Sequence, residues 1–179
     1  MLKSLVIGLG SAGTRHFEIL NNLGHEVATV SKRNDINGLN YSDVKVAIDN
    51  FEPNYVIISN ETNKHIKTIN DIILCGYSKK MLVEKPISHN LESFNIPTTF
   101  SKKIYVGYNL RFHPFINCIK KILATEMILS LNVYVGKHLS TWRPNQCYEN
   151  SYSSDIKLGG GVLLELSHEL DYLLHLFGR

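Results

Sequence analysis

Three stretches of this chain carry residue types able to do chemistry together: Glu84-Lys85-Pro86, the glycine loop Gly8-Leu9-Gly10-Ser11-Ala12-Gly13 upstream, and Gly159-Gly160-Gly161 downstream, which opens a segment bearing His168 and Asp171. A glycine loop ahead of a helix leaves backbone N–H groups to hold a diphosphate. A lysine amine can steady an alkoxide. A histidine titrates near neutrality, so it can accept or return the proton of a carbinol. In this order the three point to hydride transfer on a dinucleotide, although each is weak alone.

Within the loop, Gly8 permits a tight turn, Gly10 lets backbone approach a pyrophosphate, and Gly13 lets the helix sit close to the strand. Ser11 and Ala12 begin that helix, so its positive end faces the phosphates. Ser31-Lys32-Arg33 ends the second strand, where an NAD enzyme usually carries a carboxylate for the ribose 2′-hydroxyl. A hydroxyl and two cations suit a 2′-phosphate, which predicts NADP in preference to NAD; the bland alternative is a solvated turn. Lys85 follows a strand, with Glu84 placed to orient it and Pro86 to fix the backbone; the alternative is a surface Lys-Pro turn. Glu165, His168 and Asp171 stand three apart, so on one helix they share a face. Asp171 could instead anchor that helix to the first domain. His16, His25, His65, His89, His113, His138 and His175 read as structural, with His65 near a helix start. No second histidine stands at ligand spacing, so no metal is expected.

Elements that would position these residues are legible as periodicity. Apolar runs at 2–7, 26–31, 55–59, 81–84 and 104–107 read as strands. Helical spacing occupies 11–23, 42–51 and 63–75, with 34–40 as a loop. Strands separated by helices need crossover connections, hence an α/β fold, a Rossmann doubly wound parallel sheet over 1–107. From 108 to 179 the character changes. Residues 115–123 read as a helix, 126–135 as a half-buried antiparallel strand, and 161–177 as one helix. One amphipathic strand cannot form a sheet alone, so this second domain is expected to be an incomplete α+β unit.

Composition narrows the function classes. The chain has 179 residues, 44% hydrophobic and 20% charged, with a net charge of +3. Its basic residues are scattered, which argues against nucleic acid or a polybasic membrane site. Cys75, Cys118 and Cys147 show no CxxC spacing and read as reduced thiols in the cytoplasm. The opening apolar run is too short for a signal peptide, and none approaches the roughly 20 residues of a membrane span.

With these residues assembled, the chain resembles the Gfo/Idh/MocA family of NAD(P)-dependent sugar and cyclitol oxidoreductases. The resemblance runs over nearly the whole chain: the glycine loop, the loop at 59–65, Glu84-Lys85-Pro86, Tyr108-Asn109-Leu110-Arg111-Phe112-His113-Pro114, and Gly159 through Asp171. The Trp142-Arg143-Pro144 loop, Ser151-Tyr152-Ser153 and the Leu166–Tyr172 run look like a subgroup from bacterial surface-sugar clusters, including those for nonulosonic acids and flagellin decoration. The resemblance implies that Lys85 and His168 are catalytic. It places Ser59, Asn60, Glu61 and His65 beside the cofactor and Glu84 and Lys85 by the nicotinamide. Arg111, Trp142, Arg143, Tyr152 and Asp171 would line the sugar site. The family's acid four residues before the histidine is Leu164 here, leaving Glu165 as the nearest candidate. Family members also continue into an open sheet that makes a dimer interface. Its absence here implies a truncated gene, a separate partner chain or a fragment. Two function classes follow: a sugar or nucleotide-sugar oxidoreductase, or a catalytically inactive dinucleotide-binding remnant or one part of a split enzyme. A pure interaction module would leave the glycine loop without a purpose.

Overall fold

The computed structural model describes residues 1–33, 35–36, 38–91, 95–141, 149 and 151–178, and at Tyr152 the backbone only. The chain divides into two compact units, Met1–Gly107 and Tyr108–Arg179.

The first unit is a six-stranded, wholly parallel sheet: β1 (Lys3–Ile7), β2 (Glu26–Val30), β3 (Leu39–Tyr41), β4 (Tyr55–Ile58), β5 (Lys80–Val83) and β6 (Ile104–Val106). Their spatial order is β3-β2-β1-β4-β5-β6, the doubly wound order of the Rossmann fold. Alternation along the central strands explains why both faces are covered. Leu5 and Ile7 of β1 and Val56 and Ile58 of β4 face the layer that also contains Ala47, Ile48 and Phe51 of α2 (Val44–Phe51) and Ile66, Ile69 and Ile72 of α3 (His65–Leu74). The intervening Val6 and Ile57 face the opposite way and pack with Leu20 of α1 (Ser11–Asn22). Ile69, Ile72 and Met81 are fully buried, and each such side chain contributes about 1.5–3 kcal/mol over leaving it in water.

Helix boundaries follow local chemistry. The Asp43 side chain accepts the Val46 N–H at 3.1 Å and starts α2. Helix α1 has no capping side chain and no acid in its first turn. The loop expected at 34–40 overlaps the short strand β3. Three polar-flanked residues give no periodic signal. Pairing with β2 and the Asn40 amide, which meets Thr29, Ser31 and Arg33, make the strand.

The second unit holds a 3-10 turn at Asn109–Phe112, α4 (Pro114–Leu123), α5 (Val162–Glu165) and α6 (Ser167–Phe177). Pro114 sits at the first helical position and the His113 ring accepts the Phe115 N–H at 3.2 Å, a complete start for α4. Two expectations are corrected here. Residues 126–135 form no strand: Leu129 is 90% and Tyr134 95% exposed. A strand is made by its ladder, and among the described residues nothing pairs with this one. The helix expected over 161–177 is broken at Leu166, whose backbone (φ −99, ψ 25) leaves the helical region. Glu165 therefore ends α5, while His168 and Asp171 lie on α6, so the three do not share one continuous helical face.

Candidate functional site

The carboxyl edge of the sheet is aligned by its last rungs. The first residue past each of β1, β4, β5 and β6 donates its N–H to the last carbonyl of a neighbour: Gly8 to Val30 (2.9 Å), Ser59 to Ile7 (2.8 Å), Glu84 to Ile58 (2.8 Å) and Gly107 to Val83 (2.8 Å). Four segments far apart in sequence are thereby fixed side by side where open α/β sheets bind ligands.

The three loop glycines answer to different constraints. Gly8 has φ +89, and a Cβ there would lie 2.6 Å from the Asn60 backbone. At Gly13 a Cβ would lie 2.0 Å from the Gly8 carbonyl oxygen and 2.6 Å from the Ser59 hydroxyl. Gly10 differs: its φ is −73, which any residue adopts, and a Cβ there would meet nothing within 4 Å. Neither backbone nor packing requires glycine at position 10. The open space lies at the uncapped N-terminus of α1, where Ser11, Ala12 and Gly13 present their N–H groups. That is the cradle a diphosphate needs, so the residues present fit a dinucleotide.

Around this loop, the Ser59 side chain is buried and turned inward, 2.8 Å from the Gly8 carbonyl and 3.1 Å from that of Ile7. The Asn60 amide donates to Thr68 at 2.8 Å, while its side-chain oxygen is buried without a partner. Glu61 is exposed and paired with Lys64 at 2.8 Å, which holds its carboxyl below the usual range. At the end of β2, Ser31 accepts the Arg33 N–H (3.1 Å). Arg33 grips Asp35 through two bonds of 2.9 and 2.6 Å and reaches the Leu9 carbonyl at 3.4 Å. The Arg33 hydrogen bond draws the exposed Asp35 carboxyl down to about 2. Lys32 is exposed.

Glu84-Lys85-Pro86 is held from two sides. His16 of α1 meets the Glu84 carboxylate at 2.7 Å. Burial pushes the Glu84 carboxyl up, but the His16 bond and charge and the Lys85 backbone N–H outweigh it, leaving the group below its usual range. His65 is fully buried, its ring nitrogens 2.9 Å from the Pro86 carbonyl and 3.0 Å from the Asn60 carbonyl. It ties the loop after β4 to the segment carrying Lys85. From their residue patterns both histidines read as structural, while the resemblance set His65 beside the cofactor; here its ring is fully buried. For His16 there was a usable signal: it lies one helical turn beyond Gly13, hence on the face pressed to the strand edge.

In the second unit, a two-point register joins the 3-10 turn to α6. The Tyr108 and His168 rings meet edge-on at 5.7 Å. Three residues further along both segments, Arg111 donates to Asp171 through bonds of 2.8 and 2.5 Å. Asp171 is buried, so this ion pair is shielded from screening on one side. Arg111 and Asp171, both expected at the sugar site, thus hold each other, and Asp171 anchors its helix within this unit. Trp142 and Arg143 lie outside the described residues, as does the Tyr152 side chain; the Tyr152 backbone lies in a 3-10 turn. Among the described residues, no group of three His, Cys, Asp or Glu side chains could hold a metal, and no helix is long and apolar enough to cross a membrane.

No protein-family model matches the sequence, and no curated protein does. Solved structures share the fold. The WlbA (WbpB) dehydrogenase from Thermus thermophilus, in complex with NAD and alpha-ketoglutarate, superposes with TM-score 0.75 at 20% identity over 100% of this chain and 63% of that one. The WlbA dehydrogenase from Chromobacterium violaceum, in complex with NADH and UDP-GlcNAcA, gives 0.80 at 14% identity over 99% of this chain and 56% of that one. A D-galactose-1-dehydrogenase from Rhizobium etli gives 0.77 at 19% identity over 99% and 58%. At such identities the likeness establishes the fold. The chain spans less than two thirds of the length of these proteins.

The buried His65 makes stability depend on pH. Burial lowers its pKa from 6.5 against the opposing pull of the two carbonyls, Glu84 and Glu61. The folded value lies below the unfolded one, so stability is intact above about pH 6.5 and declines as the pH falls through the window below it, by at most about 1.4 kcal/mol per pH unit for one group. Urea denaturation across pH 5–7.5 should show this decline in the native chain and a shallower one in His65→Gln. Parallel slopes would assign the decline to other groups.

Proposed function

We propose that the chain is a nicotinamide-dinucleotide-dependent oxidoreductase of the Gfo/Idh/MocA type, acting on a secondary alcohol or ketone of a sugar or nucleotide-sugar. The observation that carries the reading is Gly10: a glycine without a conformational or packing reason, bordering open space at an uncapped helix N-terminus. In this reading the backbone N–H groups of Ser11, Ala12 and Gly13 hold the diphosphate. Bound nicotinamide supplies the hydride acceptor or donor. Lys85 holds the carbinol oxygen and His168 exchanges its proton. Asp171, Arg111 and Tyr108 support the turn of α6 that bears His168, and Trp142, Arg143 and Tyr152 are assigned to the sugar. Glu165 retains only a supporting role, because α5 ends with it. The free thiols Cys75 and Cys118 fit a cytoplasmic setting.

Cofactor choice turns on Arg33. Lys32 and Arg33 favour the 2′-phosphate of NADP. The Asp35 carboxylate on Arg33 favours NAD, since it occupies the guanidinium and supplies an acceptor near the end of β2. The NAD and NADH complexes of the fold relatives make NAD the cofactor to test beside NADP. A second reading, a dinucleotide-binding chain with no turnover of its own, is favoured by the bare apolar side chains of Met127 and Leu129, which a second copy or a separate chain would cover.

Fluorescence titration with NADH and NADPH, followed by turnover on hexoses and UDP-sugars, tests both readings. Saturable binding with turnover supports the oxidoreductase, binding alone supports the second reading, and no binding defeats both. Gly10→Val should cost about 0.5–2 kcal/mol of stability, valine being a poorer N-cap than glycine, and lose binding by steric filling of the cradle; unchanged affinity would refute the loop assignment. Asp35→Asn frees the Arg33 guanidinium and should shift the NADPH-to-NADH affinity ratio toward NADPH by roughly tenfold. An unchanged ratio would remove Arg33 from cofactor selection.

A further inference from the structure

We propose that His16 is a positioning residue for Lys85, acting through the Glu84 carboxylate. Three observations converge on that carboxylate. Its Oε1 lies 2.7 Å from His16 Nε2, with both side chains 23% exposed. The backbone N–H of Lys85, the next residue, adds to the stabilisation of its charge. On a third side Gly107 presents bare backbone, where a Cβ would stand 3.3 Å from the same oxygen. Glu84 is itself pinned in the sheet through its N–H on Ile58 at 2.8 Å. Its side chain therefore has one path, from the end of β5 across to α1, and it ends on a histidine one turn beyond Gly13.

The consequence is mechanical. The N-terminal turn of α1 is pressed onto β1 by Gly13, and the same helix, through His16 and Glu84, holds the peptide of Lys85. The end of the site that takes the diphosphate and the residue assigned to the carbinol oxygen are thus referenced to one rigid element. Placing a reacting group in productive geometry is worth orders of magnitude in rate, and supporting hydrogen bonds commonly supply that placement. His16 touches neither substrate nor reacting atoms in this scheme. The inference rests on the reading of Lys85 as the group at the nicotinamide end.

The test follows the Lys85 side chain directly. Lysines of the full chain are reductively methylated with 13C, and the Lys85 signal is assigned by its loss in Lys85→Arg. In the native chain NADH should move this signal; no movement would defeat the reading of Lys85 itself, independently of His16. His16→Ala should displace or broaden the Lys85 signal and leave those of Lys64 and Lys67, which pair with Glu61 and Asp71, in place. His16→Gln, whose amide N–H reaches the same carboxylate, should restore it. If His16→Ala does not fold, Glu84→Gln, which weakens the acceptor and keeps its shape, should displace the Lys85 signal in the same way. A Lys85 signal unchanged in a folded His16→Ala or Glu84→Gln chain, whatever the loss of thermal stability, would reduce the pair to a structural contact and overturn the inference.

Discussion

Helix α1 lies where it does because residue 13 has no side chain. A Cβ there would be driven to 2.0 Å from the Gly8 carbonyl oxygen, a distance no relaxation of neighbouring side chains can relieve, because the obstacle is backbone. The close approach sets the uncapped end of α1 directly over the edge of β1, and the rest of the site is arranged around that placement. Gly8 turns under the Asn60 backbone, Ser59 braces the loop from behind, and the space above Gly10 is left clear. An anion-holding cradle built this way uses backbone dipoles, which need no long side chain to be ordered.

The second layer of organisation is made by two histidines. His16 and His65 approach Glu84-Lys85-Pro86 from α1 and α3, one through a carboxylate and the other through a carbonyl. Together with the ladder bonds at Gly8, Ser59, Glu84 and Gly107, they connect four strand ends into one surface. The second unit repeats the device in smaller form: Tyr108 on His168 and Arg111 on Asp171 fix a turn of α6 at two points. In both units a residue assigned to chemistry is held by its neighbours.

Sequence periodicity exposed most of the first unit because its strands are buried on both faces and its helices bury one stripe; burial leaves a pattern that needs no knowledge of partners. The same logic failed where partners decide. Leu39–Tyr41 is a strand through β2 and the Asn40 amide, neither visible in its own residues. Residues 126–135 alternate as a strand should, yet no described residue pairs with them. The break at Leu166 separates Glu165 from His168, and the apolar spacing runs across it without interruption. The glycine loop and Lys85 were legible as motifs. The position of His16 one turn beyond Gly13 marked its face but not its partner, and the work of His65 and Asn40 was not legible, because each acts on atoms of another segment.

The central claim, that the turn between β1 and α1 receives a dinucleotide diphosphate, is tested most directly by amide NMR of the 15N-labelled chain titrated with ADP-ribose, which carries the diphosphate without the nicotinamide. The account predicts saturable shifts concentrated at the amides of Gly10, Ser11, Ala12 and Gly13, with the amides of α4 unmoved. Saturable shifts elsewhere with this turn silent, or no saturable shift at millimolar ligand, would contradict it.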